Sequence, residues 1–348
     1  MSDSSAPLDA PTSGASTLLE VRDLTKVFSV PGGGSSKQLR ALDGISLDLR
    51  RGETLGLVGE SGCGKSTLAR TLLMLERPDG GTVRFDGVDP FSLKGDALLQ
   101  WRRRVQMVFQ DPFASLNSRM TAGDIIEEPW RTHRSMFRTS RDRAARVREL
   151  LHLVGMRPSD ADRYPQEFSG GQRQRIGIAR ALALNPDVIV CDEPVSALDL
   201  SVQAQVLNLL NDLQQQLGVS YVFISHDLSV VQHVADQVAV MYLGRIVEHG
   251  TTEAVFTRPR HPYTAALMSA APQLDQGRRR ERIVLEGEIP SPLSPPSGCR
   301  FRTRCWKATE VCATELPPLA HDNQDPAHEA ECYHPLQVGP PGVVSTPA

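Results

Sequence analysis

Gly59-Glu60-Ser61-Gly62-Cys63-Gly64-Lys65-Ser66 decides the fold, because it matches the phosphate-loop pattern G-x-x-x-x-G-K-[ST] at every fixed position. The apolar run from Thr54 to Val58 before it predicts a buried strand, and Leu68, Leu72 and Leu75 after it recur at helical spacing. Glycines let the backbone wrap around a phosphate with its N–H groups turned inward, and the helix adds the positive end of its dipole. The sequence therefore predicts a nucleoside triphosphate site between a strand and a helix.

Two side chains at the end of this motif have defined expected roles. Lys65 is expected to reach the β- and γ-phosphates, and the hydroxyl of Ser66 to bind Mg²⁺. The residues expected to bind the nucleotide here are Gly59, Glu60, Ser61, Gly62, Cys63, Gly64, Lys65, Ser66 and Thr67.

A second glycine motif runs from Phe168 to Arg175. Apolar residues from Ile176 to Leu182 follow at helical spacing, so the motif opens another helix whose N-terminus can hold an anion. The candidate nucleotide-binding residues in it are Ser169, Gly170, Gly171 and Gln172.

Two carboxylates end the apolar run that begins at Asp187. We expect Asp192 to serve Mg²⁺ and Glu193 to polarise the attacking water, because neighbours on a strand face opposite ways. Such a run is commonly just a strand and a turn, but its place directly after the second glycine motif favours a Walker B strand. His226 follows another apolar run, from Val219 to Ser225, and is expected to contact the γ-phosphate at the same sheet edge.

With these motifs in this order, the chain resembles the ABC ATPase family over roughly residues 18–265. The resemblance implies that Phe168–Gln172 is the signature motif, with Phe where Leu is commoner, and that Ser196–Asp199 is the D-loop. It implies that Gln110 is the Q-loop glutamine that contacts Mg²⁺ and the attacking water, and that His226 is the switch histidine.

Phe28, at the end of the first predicted strand, matches the aromatic residue that stacks on adenine in this family; a core role is the alternative. In the family, phosphate loop and signature motif face each other only across a head-to-tail dimer. One copy of each in this chain therefore implies a second ATPase subunit as partner.

The predicted fold class is α/β, a P-loop NTPase of the ABC ATPase type. We expect a mainly parallel sheet core, an N-terminal antiparallel β part, an inserted helical subdomain and a small cysteine-containing C-terminal extension. The expected segments are a tail at 1–17, the ATPase domain at 18–265 with its helical subdomain at about 111–185, the extension at 266–336 and a tail at 337–348.

Composition excludes several other classes. The 348 residues carry a net charge of −3, which does not indicate a nucleic-acid partner. The short basic runs Arg102–Arg104 and Arg278–Arg280 fit solvated surfaces. No apolar run approaches the ~18 residues that span a bilayer. Residues 1–17 lack the basic start and apolar core of a signal peptide.

Four of the six cysteines, Cys299, Cys305, Cys312 and Cys332, fall within a 34-residue stretch. In a reducing compartment such a cluster favours a metal over disulfides, although scattered structural cysteines are an alternative. The spacings are wider than in typical zinc pairs, so spacing alone does not choose the metal.

The whole chain resembles the ATP-binding subunits of bacterial oligopeptide and dipeptide importers. The matching segments are His261–Leu267, Gly287–Pro292, Gly298–Cys305 and Val105–Asn117. The resemblance implies a [4Fe–4S] cluster on the four cysteines, with Trp306 departing from the Pro that commonly follows the second one.

The same resemblance implies the assembly around the chain. The expected partners are a second and different ATPase, two membrane permeases and an external peptide-binding protein, with this chain peripheral on the cytoplasmic face of the membrane. Phe113 and Leu116 are expected to lie where the permease docks.

Three other functions fit parts of the pattern. Nickel and other small-solute importers share much of it. An exporter subunit does not explain the C-terminal segments. Soluble ABC ATPases that act on ribosomes usually carry two ATPase domains in one chain, whereas this chain has one copy of each motif. Those that repair DNA place a long coiled coil between the phosphate loop and the signature motif, and the interval from Lys65 to Ser169 is too short for one.

Overall fold

A computed structural model describes residues 16–30, 37–111, 113–270, 283–322 and 325–337. Both expected tails fall outside these ranges apart from residues 16, 17 and 337. The glycine-rich loop expected at 31–36 and the basic run at 278–280 also fall outside the described residues.

Eleven strands lie within the described ranges and form two sheets. They are β1 (Thr17–Val30), β2 (Lys37–Arg50), β3 (Thr54–Val58), β4 (Gly80–Phe85), β5 (Val105–Val108), β6 (Val188–Asp192), β7 (Ser220–Ser225), β8 (Gln237–Tyr242), β9 (Arg245–Thr251), β10 (Leu319–His321) and β11 (Glu329–Glu331). The smaller sheet is antiparallel with the order β2-β1-β4, and the larger has the order β10-β11-β9-β8-β3-β7-β6-β5.

Ten α-helices lie in the same part of the chain. They are α1 (Lys65–Leu72), α2 (Gly95–Arg104), α3 (Ala122–Thr132), α4 (Ser140–Leu153), α5 (Gly170–Leu182), α6 (Leu200–Leu217), α7 (Leu228–Val234), α8 (Thr252–Thr257), α9 (Pro262–Ala270) and α10 (Val311–Thr314). Helices α3 to α5 lie between strands β5 and β6, where the sequence predicts an inserted helical segment.

The centre of the larger sheet is parallel, and its strands are short apolar runs. Strands β3, β7, β6 and β5 pair in parallel register, and all residues of β3 and β7 are buried. Strands buried on both faces read as continuous apolar sequence. The four carboxyl ends therefore meet at one edge of the sheet.

Each face of this sheet carries its own apolar layer. On one face Leu57 and Val190 pack with the antiparallel sheet and with Leu68 of α1. On the other face Ile189 and Phe223 pack with helices α5, α6 and α7. The sheet is thus covered on both sides, as the strand sequences require.

Helix boundaries follow local capping signals. Asp199 accepts a hydrogen bond from the N–H of Val202 at the start of α6, and Gly218 ends the helix with a φ of 67°. The helical spacing of apolar residues from Val202 to Leu217, followed by Gly218, predicts a helix over 201–217, and this is confirmed to within one residue. The expectation for Leu75 is wrong: α1 ends at Leu72, Met74 turns the chain with a φ of 55°, and Leu75 is exposed.

The C-terminal segment continues the larger sheet. Strand β11 pairs with β9, and β10 pairs with β11. Beneath them, the buried carboxylate of Glu248 accepts hydrogen bonds from the N–H groups of Arg260 and His261 at 2.7 and 2.8 Å, and its Oε1 lies 2.7 Å from His328 Nε2. A buried carboxylate needs such partners, so this network fixes the segment to the sheet.

Candidate nucleotide site

Two glycines of the phosphate loop cannot be replaced without moving neighbouring backbone. A Cβ on Gly59 would lie 2.1 Å from the carbonyl oxygen of Met241, and one on Gly64 would lie 2.3 Å from that of Ala41. Gly62 has a φ of 78° in open space, so only the left-handed backbone favours glycine there. The loop is therefore packed closely against the backbone of strands β8 and β2.

Lys65 begins helix α1 and folds back across the loop. Its Nζ donates to the carbonyl oxygens of Gly59 at 2.7 Å and Glu60 at 3.0 Å, and the residue is only 7% exposed. The ammonium group thus lies inside the loop, on the side where the motif places the phosphates.

Gln110, Glu193 and His226 come together at the carboxyl edge of the sheet. Gln110 Nε2 donates to Glu193 Oε2 at 2.8 Å, and His226 Nδ1 lies 3.0 Å from Glu193 Oε1. The three residues follow strands β5, β6 and β7, whose ends are adjacent. Both carboxylate oxygens of Glu193 therefore have a side-chain partner.

Glu193 leaves the strand in a left-handed conformation, with a φ of 47°. Strand β6 ends at Asp192, so a turn rather than the alternation of a strand separates the two carboxylates. The expectation that Asp192 and Glu193 lie on opposite faces of a strand is therefore wrong, because Glu193 is not part of the strand. A non-glycine residue with positive φ costs free energy, and such residues cluster at functional sites.

Asp192 lies between the phosphate loop and Glu193. Its pKa is raised, first by burial and then by the charge of Glu193, while Lys65, Arg70 and the hydroxyl of Ser66 act in the opposite direction. The Mg²⁺ role that the sequence predicts for Asp192 and Ser66 stays a prediction.

The signature residues cap helix α5 on a different part of the surface. Ser169 and Gln172 form a capping box, in which each side chain accepts a hydrogen bond from the other's N–H. Added Cβ atoms on Gly170 and Gly171 would lie 3.2 Å from Leu198 and 2.3 Å from Val202. Within the described ranges, no hydrogen bond or ion pair joins this motif to the phosphate loop.

Phe28 lies near the end of β1, opposite Leu39 of β2, and is half-buried. The Nζ of Lys26 lies 5.3 Å from the centre of its ring. One face of the ring thus carries a cation in this conformation.

The segment after Gln110 divides into exposed and buried residues. Phe113 is 57% exposed and the guanidinium of Arg173 lies 4.0 Å from its ring centre, whereas Leu116 is 5% exposed and belongs to the apolar core. Leu116 is therefore a packing residue, and the expectation that it lies on a docking surface is wrong. Phe109, four residues before Phe113, is 44% exposed, and the guanidinium of Arg180 lies 5.7 Å from its ring centre.

The four clustered cysteines line one pocket, together with Phe301 and Tyr333. Burial raises the pKa of Cys299 to about 11 and that of Cys332 to about 12, so a metal would have to displace their protons. The N–H of His334 donates to Cys332 Sγ at 3.3 Å. All six cysteines lie in the described ranges and none forms a disulfide. As the described side chains stand, no three His, Cys, Asp or Glu residues form a group that could hold a metal ion.

Sequence reasoning missed the contacts behind the phosphate loop. The N–H of Glu60 donates to the hydroxyl of Tyr263 at 2.9 Å, and the carboxylate of Glu60 pairs with Arg304 at 2.9–3.1 Å. Both partners lie in segments singled out for their resemblance, but no spacing rule connects them with a loop some 200 positions earlier.

Comparison with known proteins gives the family. A family described as "ABC transporter" matches residues 42–196, and "Oligopeptide/dipeptide transporter, C-terminal region" matches residues 247–312. The chain is 53% identical to the dipeptide transport ATP-binding protein DppF of Escherichia coli (strain K12), over 88% of this chain and 91% of that protein. The chain belongs to the ATP-binding protein family of oligopeptide and dipeptide ABC transporters.

Other relatives agree with this membership. The oligopeptide transport ATP-binding protein AppF of Bacillus subtilis (strain 168) is 51% identical, over 91% of this chain and 97% of that protein. Among solved structures, the dimeric ATP-binding cassette MJ0796 with ADP and Pi has a TM-score of 0.60 and 28% identity, covering 68% of this chain and 99% of that one. CbiO1 from Clostridium perfringens also has a TM-score of 0.60 and 28% identity, over 69% and 90%.

Family membership confirms the predicted fold class and the predicted enzyme class: the protein is an ABC ATPase with the P-loop α/β fold. ATP and Mg²⁺ are the cofactors that this class uses. A search of the described helices finds none that is both long and apolar enough to cross a membrane.

Proposed function

We propose that this chain is the ATP-hydrolysing subunit of an ABC importer for dipeptides and oligopeptides. The observation that carries the proposal is the meeting of Gln110, Glu193 and His226 next to the phosphate loop. It occurs in a chain that is similar, over nearly its full length, to ATP-binding proteins of peptide transport.

Each residue has a role that its position supports. Lys65 binds the β- and γ-phosphates, and Ser66 and Asp192 hold Mg²⁺. Glu193 polarises the attacking water, while Gln110 and His226 orient it and contact the γ-phosphate. Each oxygen of Glu193 has one side-chain partner here, Gln110 or His226, and keeps a further lone pair that can accept a hydrogen bond from the attacking water.

A second ATPase subunit completes the site. The signature residues Ser169 to Gln172 cap a helix, and within the described ranges no hydrogen bond or ion pair joins them to the phosphate loop of their own chain. Helix N-termini bind anions, so this one is free to take the γ-phosphate of a nucleotide on a partner chain. The MJ0796 cassette is dimeric, which supports pairing of two ATPase chains. The head-to-tail arrangement and a different ATPase chain as partner are the expectation for this chain.

The permeases dock beside Phe109 and Phe113 on the cytoplasmic face of the membrane, where the chain lies as a peripheral subunit. Two exposed aromatic side chains four residues apart in the sequence, each beside an arginine, provide the apolar contact area that protein interfaces use. The external peptide-binding protein acts through the permeases. Movement of Gln110 with the γ-phosphate shifts this surface and couples hydrolysis to import.

The test is peptide uptake by the complex reconstituted in vesicles. Phe113→Asp should cut uptake while ATP binding by the full-length chain stays normal. Leu217→Asp is the matched control, because this leucine is also exposed (47%) but lies at the C-terminal end of α6, before β7 and so at the opposite edge of the sheet. Normal uptake by the Phe113 variant would remove the docking surface from the proposal.

The same vesicles distinguish the substrate classes. Peptides should stimulate ATP hydrolysis in the presence of the binding protein, and Ni²⁺ should not. Stimulation by Ni²⁺ alone would replace the peptide importer with a nickel importer.

Cys299, Cys305, Cys312 and Cys332 are further proposed to hold a [4Fe–4S] cluster. The donor set fits, because four thiols line one pocket and an N–H group points at the sulfur of Cys332. The cluster would cross-link the segment and serve a structural role.

Metal analysis tests this assignment. Anaerobically purified protein should be brown and contain iron and acid-labile sulfide in similar amounts. Stoichiometric zinc without iron would replace the cluster with a zinc site, and protein without metal would defeat both.

A further inference from the structure

Side chains hold the phosphate loop both on the side that faces the nucleotide and on the side that faces away from it. Lys65 binds the carbonyl oxygens of Gly59 and Glu60 from the nucleotide side. On the opposite side, Arg304 makes three hydrogen bonds of 2.9–3.1 Å with the two carboxylate oxygens of Glu60. The side chain of Arg304 is only 8% exposed and that of Glu60 22% exposed, so water screens this pair little.

The Arg304–Glu60 pair belongs to a packed contact rather than to two mobile side chains. The Tyr263 hydroxyl accepts from the N–H of Glu60, and the Tyr263 ring packs on Tyr242 and Phe301 with centroids 4.7 and 5.4 Å apart. Phe301 is fully buried in the same turn as Arg304. A bidentate guanidinium on such a support fixes the position of a carboxylate closely.

A second arginine of the same segment supports the loop at another point. Arg300 donates to the carbonyl oxygen of Leu243 and pairs with Asp43. The next residue, Gly244, donates its N–H to the carbonyl oxygen of Cys63 at 2.8 Å. The stretch between Cys299 and Cys305 therefore reaches the phosphate loop twice, directly at Glu60 and through the β8–β9 turn at Cys63.

We propose that Arg304 is a positioning residue for ATP binding: by holding Glu60, it keeps the phosphate loop in the conformation that receives the triphosphate. Preorganised N–H groups bind an anion without first paying the entropy of ordering the loop. Arg304 does not touch the phosphates, so its loss should affect ATP binding more than the chemical step. The inference rests on the proposed nucleotide role of the phosphate loop.

The first measurement is the affinity of the full-length chain for a fluorescent ATP analogue with Mg²⁺. Arg304→Ala should weaken binding roughly 5- to 30-fold, the range expected for loss of a charged hydrogen-bonded pair. In the assembled complex the KM for ATP should rise similarly, while kcat at saturating ATP changes by less than about twofold, because bound nucleotide orders the loop. Arg304→Lys should restore part of the affinity, since it keeps the charge and loses the fork.

The matched control is Arg302→Ala. It removes the same side chain two residues away, where the guanidinium bonds only Ser297, and affinity should stay at the wild-type value. Glu60→Gln removes the partner charge with little change of size and should weaken binding as Arg304→Ala does. In the Glu60→Gln background, Arg304→Ala should add nothing.

Several outcomes would overturn the inference. Wild-type affinity in a folded Arg304→Ala protein would do so, as would an equal loss in the Glu60→Gln background or a fall in kcat with unchanged KM. If Arg304→Ala does not fold, Glu60→Gln decides alone, and wild-type affinity there refutes the role of the pair. A wild-type chain that binds no nucleotide would instead refute the proposed function itself.

Discussion

The nucleotide site and the cysteine pocket are assembled in opposite ways. The first collects Lys65, Gln110, Glu193 and His226 from four distant segments, and the carboxyl ends of parallel strands bring them together. The second takes its cysteines from one 34-residue stretch with little regular structure. A regular sheet transmits geometry over long sequence distances, whereas a local pocket depends on its turns and on the group that it binds.

The largest effect on the nucleotide site is expected when its proposed water-activating carboxylate is removed. Glu193→Gln should lower ATP hydrolysis by roughly 10²–10⁴-fold, because the amide cannot accept a proton. ATP binding should stay near normal, and the closed dimer should accumulate. Hydrolysis by the reconstituted complex and dimer formation by size-exclusion chromatography with ATP measure both effects. Undiminished hydrolysis would remove Glu193 from its proposed role.

Loss of the loop lysine should have the next largest effect, and on binding rather than on chemistry alone. Lys65→Ala removes the ammonium group that closes the loop onto Gly59 and Glu60. Nucleotide affinity should fall roughly 10- to 100-fold, as expected for a buried charge that contacts phosphate. Titration with a fluorescent ATP analogue checks this, and an unchanged dissociation constant contradicts the assignment.

Removing one cysteine tests whether the cysteine pocket binds a metal. Cys312→Ser should abolish stoichiometric metal content, because an alcohol is a poor ligand for iron or zinc. ATP affinity should fall no further than in Arg304→Ala, since the Arg245–Glu331 and Arg300–Asp43 pairs still hold the segment to the ATPase core.

Metal analysis and nucleotide titration on the same preparation separate the two effects of Cys312→Ser. Cys63→Ser is unsuitable as a control because Cys63 lies in the phosphate loop. Cys191→Ser, in the buried strand β6, is the better control, and the protein with this substitution should keep the metal of the cysteine pocket. Full metal content in the Cys312 variant would exclude Cys312 as a ligand.

The contrast also explains what could be predicted from the sequence. The glycine motifs, apolar strands and polar residues after them predicted the fold and the meeting of Gln110, Glu193 and His226, because strand ends follow a general rule. The burial of Leu116 was missed because one apolar residue beside an exposed Phe113 has no periodic pattern to place it. Arg304 was missed because a long-range ion pair leaves no trace in local spacing.

The left-handed backbone conformation of Glu193 was also not predicted from the sequence. Alternation along a strand predicted that Asp192 and Glu193 face opposite ways, but the strand stops at Asp192 and Glu193 takes a left-handed backbone conformation. Sequence patterns locate such residues well but do not give the backbone strain that aims them.

The smallest effect is expected at Phe168, where Leu is commoner in the family's signature motif. Phe168 is 4% exposed, its ring packs in the core, and the guanidinium of Arg163 lies 4.4 Å from the ring centre. Phe168→Leu should cost about 1–2 kcal/mol of stability through lost packing and the lost cation contact. Hydrolysis by the assembled complex should change by less than about twofold, because the capping box of Ser169 and Gln172 uses neither side-chain volume nor charge at position 168. Ser169→Ala is the informative partner, since it removes about 1 kcal/mol of capping and also a candidate phosphate ligand. A large loss of hydrolysis in Phe168→Leu, with normal unfolding in urea, would mean that the aromatic ring itself acts across the dimer.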